Sequence, residues 1–334
     1  MHVQATNLTV TCVDPQHPDA LALIRQLSAE LAQVYGDDGS GAFVPADAQV
    51  PRAAFVVARL AGRPVGCGAI RPMADTNPLD TAEVKRMFVA PEARGQGVAQ
   101  AVLAELEAQA RGFGYARLML ETGDRQHAAI RLYQRAGYAR VPCYGKYAER
   151  EWSRCFGKEL GPAAPLAIRP AAAADVPAIL AIYNDAVLNT TASYDEAPST
   201  LAQRTAWFEE RTGQGFPVLV AEVGGTVLGF GTFAQFRPRA GYRYTVEHSV
   251  YVDAAYRGRG LGRALMLALI DEARARGMHS MLAVIDAESA ASVQLHAGCG
   301  FAEAGRLHQV GFKFGRWLDV VLMELLLEQA PGER

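Results

Sequence analysis

The chain has 334 residues, half of them hydrophobic and a fifth charged, with a formal net charge of −2. That length is long for one core and comfortable for two domains. The charge balance gives no global attraction to nucleic acid or to an anionic membrane, and no apolar run approaches the roughly 20 residues of a membrane span. The start, MHVQATNLTV, lacks the basic beginning and long apolar core of a signal peptide, so a cytoplasmic location is the default expectation. Five cysteines, Cys12, Cys67, Cys143, Cys155 and Cys299, stand in no C-x-x-C or zinc spacing. They are expected to be small buried side chains in a reducing compartment, with no metal site.

In chain order, a β-rich run Glu83–Val89 leads through a short turn to RGQGVA (Arg94–Ala99). A helix-spaced segment Gln100–Gly112, a strand ARLMLET and a helix closing on LYQRAGY (Leu132–Tyr138) follow. Gly161–Leu166, GPAAPL, punctuates the chain. The second half starts with a strand near Leu166–Arg169 and helices near Asp175–Leu188 and Ser199–Thr212. Strands follow at Val218–Val223, Val227–Phe236 and Thr245–Val252. Then the first half's order returns: RGRGLG (Arg257–Gly262), a helix Arg263–Gly277, a strand near Met281 and a helix closing on LHAGCGF (Leu295–Phe301). Two terminal strands end the chain. An echo of this length means a duplicated domain rather than a solenoid repeat. Domains are expected at 1–160 and 167–330, joined by a linker 161–166. Each is α+β, with a mostly antiparallel sheet flanked by helices.

Both Arg-Gly loops sit between a strand and the first turn of a long helix. There the leading N–H groups lack internal partners and the helix dipole adds positive charge. Glycines at 258, 260 and 262 allow close approach and positive φ, and Arg257 and Arg259 add forked donors. The expected ligand is a diphosphate. No Lys-Ser or Lys-Thr completes a Walker loop, and the third glycine of a dinucleotide fingerprint is replaced by Arg263 or Gln100.

The pattern R-x-x-G-x-[GA] after a strand ending in Val resembles the acetyl-CoA loop of the GNAT superfamily of N-acetyltransferases. Arg94-Gly95-Gln96-Gly97-Val98-Ala99 and Arg257-Gly258-Arg259-Gly260-Leu261-Gly262 both satisfy it. The resemblance implies two tandem GNAT domains. In each, the loop amides would bind the pyrophosphate of acetyl-CoA. The strand before it, near Phe88–Val89 and Tyr251–Val252, would pair with the pantetheine arm, and the neighbouring strands would splay beyond. In the second half, TVEHSVYVDAAYRGRGLG, ASVQLHAGCGF and VGFKFGRWLDVVLMELLL look like the phosphinothricin and methionine-sulfoximine N-acetyltransferases. AIYNDAV and TASYD add to that likeness.

That resemblance implies acetyl transfer to the primary amine of a small amino-acid-like substrate. Glu247, five residues before Val252, is the candidate base, directly or through water. His296 stands where most GNAT enzymes carry a Tyr, and would orient the amine or protonate sulfur. Arg239 and Tyr242, then Arg237, are the candidate anion-binding groups for the substrate. Tyr194, Phe230 and Phe233 are either pocket wall or core. Ser289 replaces the family's Asn at the start of the last helix, where a hydroxyl could cap it and still reach the cofactor.

The first half keeps Tyr133 as a candidate acid toward sulfur, with Gln126 in the Asn position. Glu83 lies six residues before Val89, so alternation turns it away from the direction of Glu247 unless a bulge intervenes. Its base and acceptor stay open. The alternatives are a first domain that binds acetyl-CoA without turnover, or an acceptor that is a protein amine or polyamine. A homodimer, or a pseudo-dimer within the chain, is the expected assembly.

Overall fold

The computed structural model describes residues 8–73 and 79–327. The chain divides into two compact units, Met1–Pro165 and Leu166–Arg334. The first runs β1 (Leu8–Val13), α1 (Pro18–Tyr35), β2 (Ala54–Leu60), β3 (Arg63–Pro72), β4 (Thr81–Val89), α2 (Val98–Gly112), β5 (Arg117–Gly123), α3 (His127–Arg135), β6 (Ala139–Arg140) and β7 (Ser153–Glu159). The second runs β8 (Ala167–Pro170), α4 (Val176–Asn189), α5 (Leu201–Gly213), β9 (Val218–Val223), β10 (Thr226–Gln235), β11 (Thr245–Val252), α6 (Leu261–Ala275), β12 (Ser280–Asp286), α7 (Ala290–Ala297), β13 (Ala302–Lys313) and β14 (Arg316–Leu326). The helix expected from Ser199 starts after Thr200, because the Thr200 hydroxyl accepts from the Gln203 amide while Gln203 returns a bond to the Thr200 amide.

Each unit has one sheet of seven strands, ordered β1-β2-β3-β4-β5-β7-β6 and β8-β9-β10-β11-β12-β14-β13. The two orders match strand for strand. β4–β5 and β11–β12 are parallel and the remaining pairs antiparallel, the α+β plan expected of tandem GNAT domains.

The central helices pack by the same device. α2 buries Val98, Val102, Leu106 and Ala110 at steps of four, and α6 buries Leu261, Leu265, Leu269 and Ala273. Both close onto glycines of the facing strand. A Cβ on Gly68 would lie 2.8 Å from a Leu106 methyl and 2.9 Å from one of Val102. One on Gly231 would lie 2.9 Å from a Leu269 methyl. The opposite faces are covered by α1, with Leu23 and Leu27 on Phe55, Val57 and Ala69, and by α4, with Ile179 and Tyr183 on Val220 and Phe230. No helix among the described residues is long and apolar enough to cross a membrane.

The cysteines depart from expectation. Cys143 and Cys155 form a disulfide, Cys12 is exposed, and of the three free thiols only Cys67 is fully buried. The Val141 amide donates to the Cys155 carbonyl at 3.1 Å, prolonging the β6–β7 pairing and setting the two Cα atoms 5.2 Å apart. This closeness arises across strands, so no sequence spacing signals it.

Candidate active site

β4 ends at Val89 and β11 at Val252, and a single helical turn leads each into its Arg-Gly loop. Gly95 and Gly97 have φ of +78° and +80°, and Gly258 and Gly260 of +72° and +85°. For other residues such left-handed backbone costs roughly 1–2 kcal/mol. Gly97 and Gly260 are the N-caps of α2 and α6, and neither end carries a side-chain cap. A Cβ on any of these four glycines would meet nothing within 4 Å. The leading amides, Val98 and Ala99 or Leu261 and Gly262, therefore face open space at the positive end of a 15-residue helix. Gly262 corrects one expectation. It lies inside α6 rather than at positive φ, and its smallness serves packing, since a Cβ would sit 3.3 Å from a Leu295 methyl of α7.

The leading arginines are committed elsewhere than expected. Arg257 donates through Nε to the Val252 carbonyl (3.1 Å) and through Nη2 to Asp185 of α4 (3.0 Å). Arg94 does the same to the Val89 carbonyl (3.0 Å) and to Glu30 of α1 (2.5 Å). These residues pin the loop to the strand end. Gln96 bonds back to the Glu92 carbonyl at 3.1 Å.

The strands part as the resemblance implied. β4 and β5 pair only from Thr81↔Arg117 to Val84↔Leu120, and β11 and β12 only from Thr245↔Ser280 to Glu247↔Leu282. Phe88–Val89 and Tyr251–Val252 lie beyond the gap, at the loop ends of their strands.

Glu247 sits at the mouth of the gap in the second unit. It shares a face with Tyr251, which stacks on Phe230 and meets Tyr183 of α4 edge-on at 5.4 Å. Burial pushes its carboxyl above the usual range, against the pull of Arg237 and Arg211. His248, one residue on, points to the other face, where its ring stacks on His296 at 5.1 Å. Glu247 and His296 are therefore not in contact; they flank the gap from opposite faces. His296 Nδ1 lies 2.6 Å from the Ser292 carbonyl. A carbonyl only accepts, so Nδ1 carries the proton and Nε2 is left as an acceptor in the neutral ring. Burial pushes His296 down against the Ser292 bond, and burial together with His296 pushes His248 down to about 3.

The Arg-Tyr hairpin follows β10. Gln235 ties it by donating to the carbonyls of Arg237 (2.7 Å) and Arg239 (3.0 Å). Arg237 stacks over Phe236, which also meets Tyr242 edge-on. Of the three, Arg237 is the one whose charge acts on Glu247. Tyr242 is exposed, Phe230 and Phe233 are core, and Tyr194 covers Gly311 at the surface. Ser289 is the N-cap of α7 but makes no side-chain cap bond.

In the first unit a bulge settles the direction of Glu83. Cys67 pairs with Phe88 but Ala69 with Lys85, so Gly68 opposes both Arg86 and Met87. Arg86 takes φ +54° and its guanidinium donates to the carbonyls of Gly39 and Phe43. The extra residue is absorbed, and Glu83 faces the α1 side just as Glu247 faces the α4 side. Glu83 is saturated, however. It accepts from Arg71 (2.9 and 3.2 Å) and Tyr144 (3.0 Å) and pairs with Lys85 (2.6 Å). Tyr133 is buried, with its phenol pushed up by that burial, and Gln126 accepts from Thr122 at 2.9 Å. Both line a cavity of about 250 Å³ between α1 and the parted strands.

The sequence model of the acetyltransferase (GNAT) family matches residues 22–138 and again 179–301. The chain belongs to the GNAT acetyltransferase family. Among its relatives is the L-methionine sulfoximine/L-methionine sulfone acetyltransferase of Pseudomonas aeruginosa, 54% identical over 162 residues, 48% of this chain and 94% of the relative. A phosphinothricin N-acetyltransferase of Alcaligenes faecalis is 44% identical over 151 residues, 45% of this chain and 77% of the relative. A solved phosphinothricin acetyltransferase of Sinorhizobium meliloti, in complex with acetyl-CoA, is 38% identical with a TM-score of 0.48, covering 50% of this chain and 92% of that one. As a GNAT acetyltransferase the chain is an acyl-transferring enzyme.

Several groups at these two GNAT sites escaped the sequence reading. Asp185, Glu30 and Arg211 come from helices far from the loops in sequence. Lys313, in the GFKFG stretch, is buried and donates to the Thr190 carbonyl at 2.9 Å and to that of Ser193, tying β13 to the TASYD segment. Only the shared motif stretches hinted at that last contact.

Proposed function

We propose that the second unit transfers the acetyl group of acetyl-CoA to the α-amine of a small amino-acid analogue of the methionine sulfoximine or phosphinothricin type. The observation that carries this reading is Glu247, a half-buried carboxylate at the parting of β11 and β12 with Arg237 and Arg211 as its charged neighbours. The named activities of the relatives agree with it. The loop amides Leu261 and Gly262 and the Arg259 guanidinium hold the diphosphate, and the backbone at Tyr251–Val252 pairs with the pantetheine arm. Arg237, with Arg239 and Tyr242, receives the substrate's anionic groups.

The amine reaches Glu247 from the α4 side as an ammonium. Glu247 takes a proton, the freed nitrogen attacks the thioester carbonyl, the C–N bond forms and the C–S bond breaks. The thiolate departs toward the opposite face, where His248 and His296 lie. His296 spends its ring proton on the Ser292 carbonyl, so the N–H offered to the thiolate is that of His248, whose ring nitrogens have no protein partner among the described residues. The remaining proton on nitrogen leaves to solvent. In the first unit, Phe88–Val89 and the Val98 and Ala99 amides make the equivalent donor site.

The test is turnover of the whole chain with acetyl-CoA against phosphinothricin, methionine sulfoximine, methionine sulfone, polyamines and a lysine peptide, read as thiol release. Preference for the amino-acid analogues is expected. Preference for polyamines or the peptide overturns the reading.

A further inference from the structure

The two units match strand for strand, yet the carboxylate beside the gap comes from different strands. Glu247 pairs across to Leu282 as Glu83 pairs across to Met119. Two residues along, β12 carries Val284 and β5 carries Glu121. In the first unit Glu83 is bound by Arg71, Lys85 and Tyr144, which leaves it no lone pair directed at a substrate. Glu121 is the first residue after the last β4–β5 pair, Val84↔Leu120. It faces the α1 side, because Leu118 and Leu120 fill the α2 side. It lines the 250 Å³ cavity, as Tyr133 does. The Ser153 hydroxyl donates to its Oε1 at 2.7 Å and fixes the rotamer.

We propose that the first unit is a second acetyl-transfer site in which Glu121, not Glu83, takes the amine proton, and that its acceptor is a small amine also bearing an anionic group. This rests on acetyl-CoA being the donor at both loops. The cavity is at the small end of ligand pockets. Its rim carries Lys146 and Arg150. Arg150 is held over Tyr147 and Trp152 at 5.6 and 5.3 Å and makes no ion pair among the described residues. Lys85, Arg71 and Arg150 all act on Lys146 as like charges. This local excess of positive charge suits a carboxylate or phosphate on the acceptor. The Glu121 carboxyl is raised by burial and lowered by Ser153, Lys85 and Arg150, with Glu83 the one acidic neighbour acting against them. In the reaction the ammonium loses one proton to Glu121, the freed nitrogen bonds to the thioester carbon, and its remaining surplus proton leaves to solvent. The C–S bond breaks, and the thiolate takes the Tyr133 hydroxyl proton, which solvent restores.

The test uses the full chain. Acetyl-CoA binding is titrated by calorimetry, and thiol release is measured with L-alanine, L-serine, L-aspartate and L-glutamate beside ethylamine and ethanolamine. Two acetyl-CoA per chain are expected. A Glu247→Gln chain should still turn over a carboxylate-bearing amine. Adding Glu121→Gln should lower that rate by about 100-fold or more with both binding events retained. Arg150→Gln should raise the amine KM about tenfold with kcat unchanged. One acetyl-CoA per chain, no turnover in the Glu247→Gln chain, or a residual rate indifferent to Glu121→Gln overturns the proposal. If Glu247→Gln costs nothing by itself, the reading of the second unit fails instead, and the Glu121→Gln result still judges the first.

Discussion

Glu247→Gln keeps the shape of the side chain and removes its basicity. The ammonium of an amino acid titrates roughly 2–3 units above pH 7, so freeing the amine costs about 3–4 kcal/mol at 1.36 kcal/mol per unit. A positioned base typically recovers about 10²- to 10⁴-fold of rate. Burial raises the Glu247 carboxyl and the two arginines pull against that, so it ionises above its ordinary range. The wild-type rate should climb with pH through that value and then level off. The variant should lose about 10²-fold or more at neutral pH and go on climbing toward the amine's own titration. The acetyl-CoA affinity should hold, because the loop amides are untouched. The assay is kcat and KM for methionine sulfoximine across pH. A loss under about fivefold, with the same acid limb, would refute the assignment of Glu247 as base.

Three further outcomes follow from named contacts. Burial lowers His248 to about 3 in the fold, whereas it protonates near 6.5 when unfolded. The stability this gives is complete above pH 6.5 and falls as pH drops toward 3, by about 2 kcal/mol at pH 5, and chemical denaturation should show His248→Phe losing less over that interval. Gly231→Ala drives a Cβ to 2.9 Å from the Leu269 methyl and 3.3 Å from one of Val250. It should cost about 1–3 kcal/mol in the same experiment, whereas Gly241→Ala, with open space around it, should cost little. Arg257→Ala removes the staple to the Val252 carbonyl and Asp185, and should weaken acetyl-CoA binding at the second loop while the first loop's affinity, read by calorimetry, stays unchanged.

The repeat, the helix and strand order of the second half, and the glycine-rich loops that open α2 and α6 were legible in the sequence, because each is written in local signals. Glycine spacing marks a left-handed helix start, and four-residue apolar steps mark α2 and α6. What escaped is set by pairing across strands and between helices. The Cys143–Cys155 bond depends on the β6–β7 extension. Arg94 and Arg257 read as anion donors because nothing beside them in sequence reveals Glu30 or Asp185. Gly262 reads as a positive-φ position because its neighbour Leu295 comes from α7. His248 was passed over beside Glu247, though strand alternation sends it to the opposite face, against His296.

The first-unit carboxylate shows how register decides chemistry. Counting residues back from the closing valine places Glu83 one step out of phase with Glu247, and an unbroken strand would turn it toward α2. The bulge at Arg86–Met87 restores the phase, so orientation alone would make the two glutamates equivalent. Their partners then separate them. Glu247 has arginines acting only through space, whereas Glu83 is enclosed by Arg71, Lys85 and Tyr144 in direct contact. A carboxylate whose lone pairs are filled by two cations and a phenol accepts a proton only by breaking those bonds, each worth about 1.5–3 kcal/mol where a charge is involved. That cost removes Glu83 from acid–base work and turns it into the support that positions Lys85 and Tyr144. It leaves Glu121, held by one serine at the edge of the cavity, as the group in the first unit able to take a proton from an incoming amine.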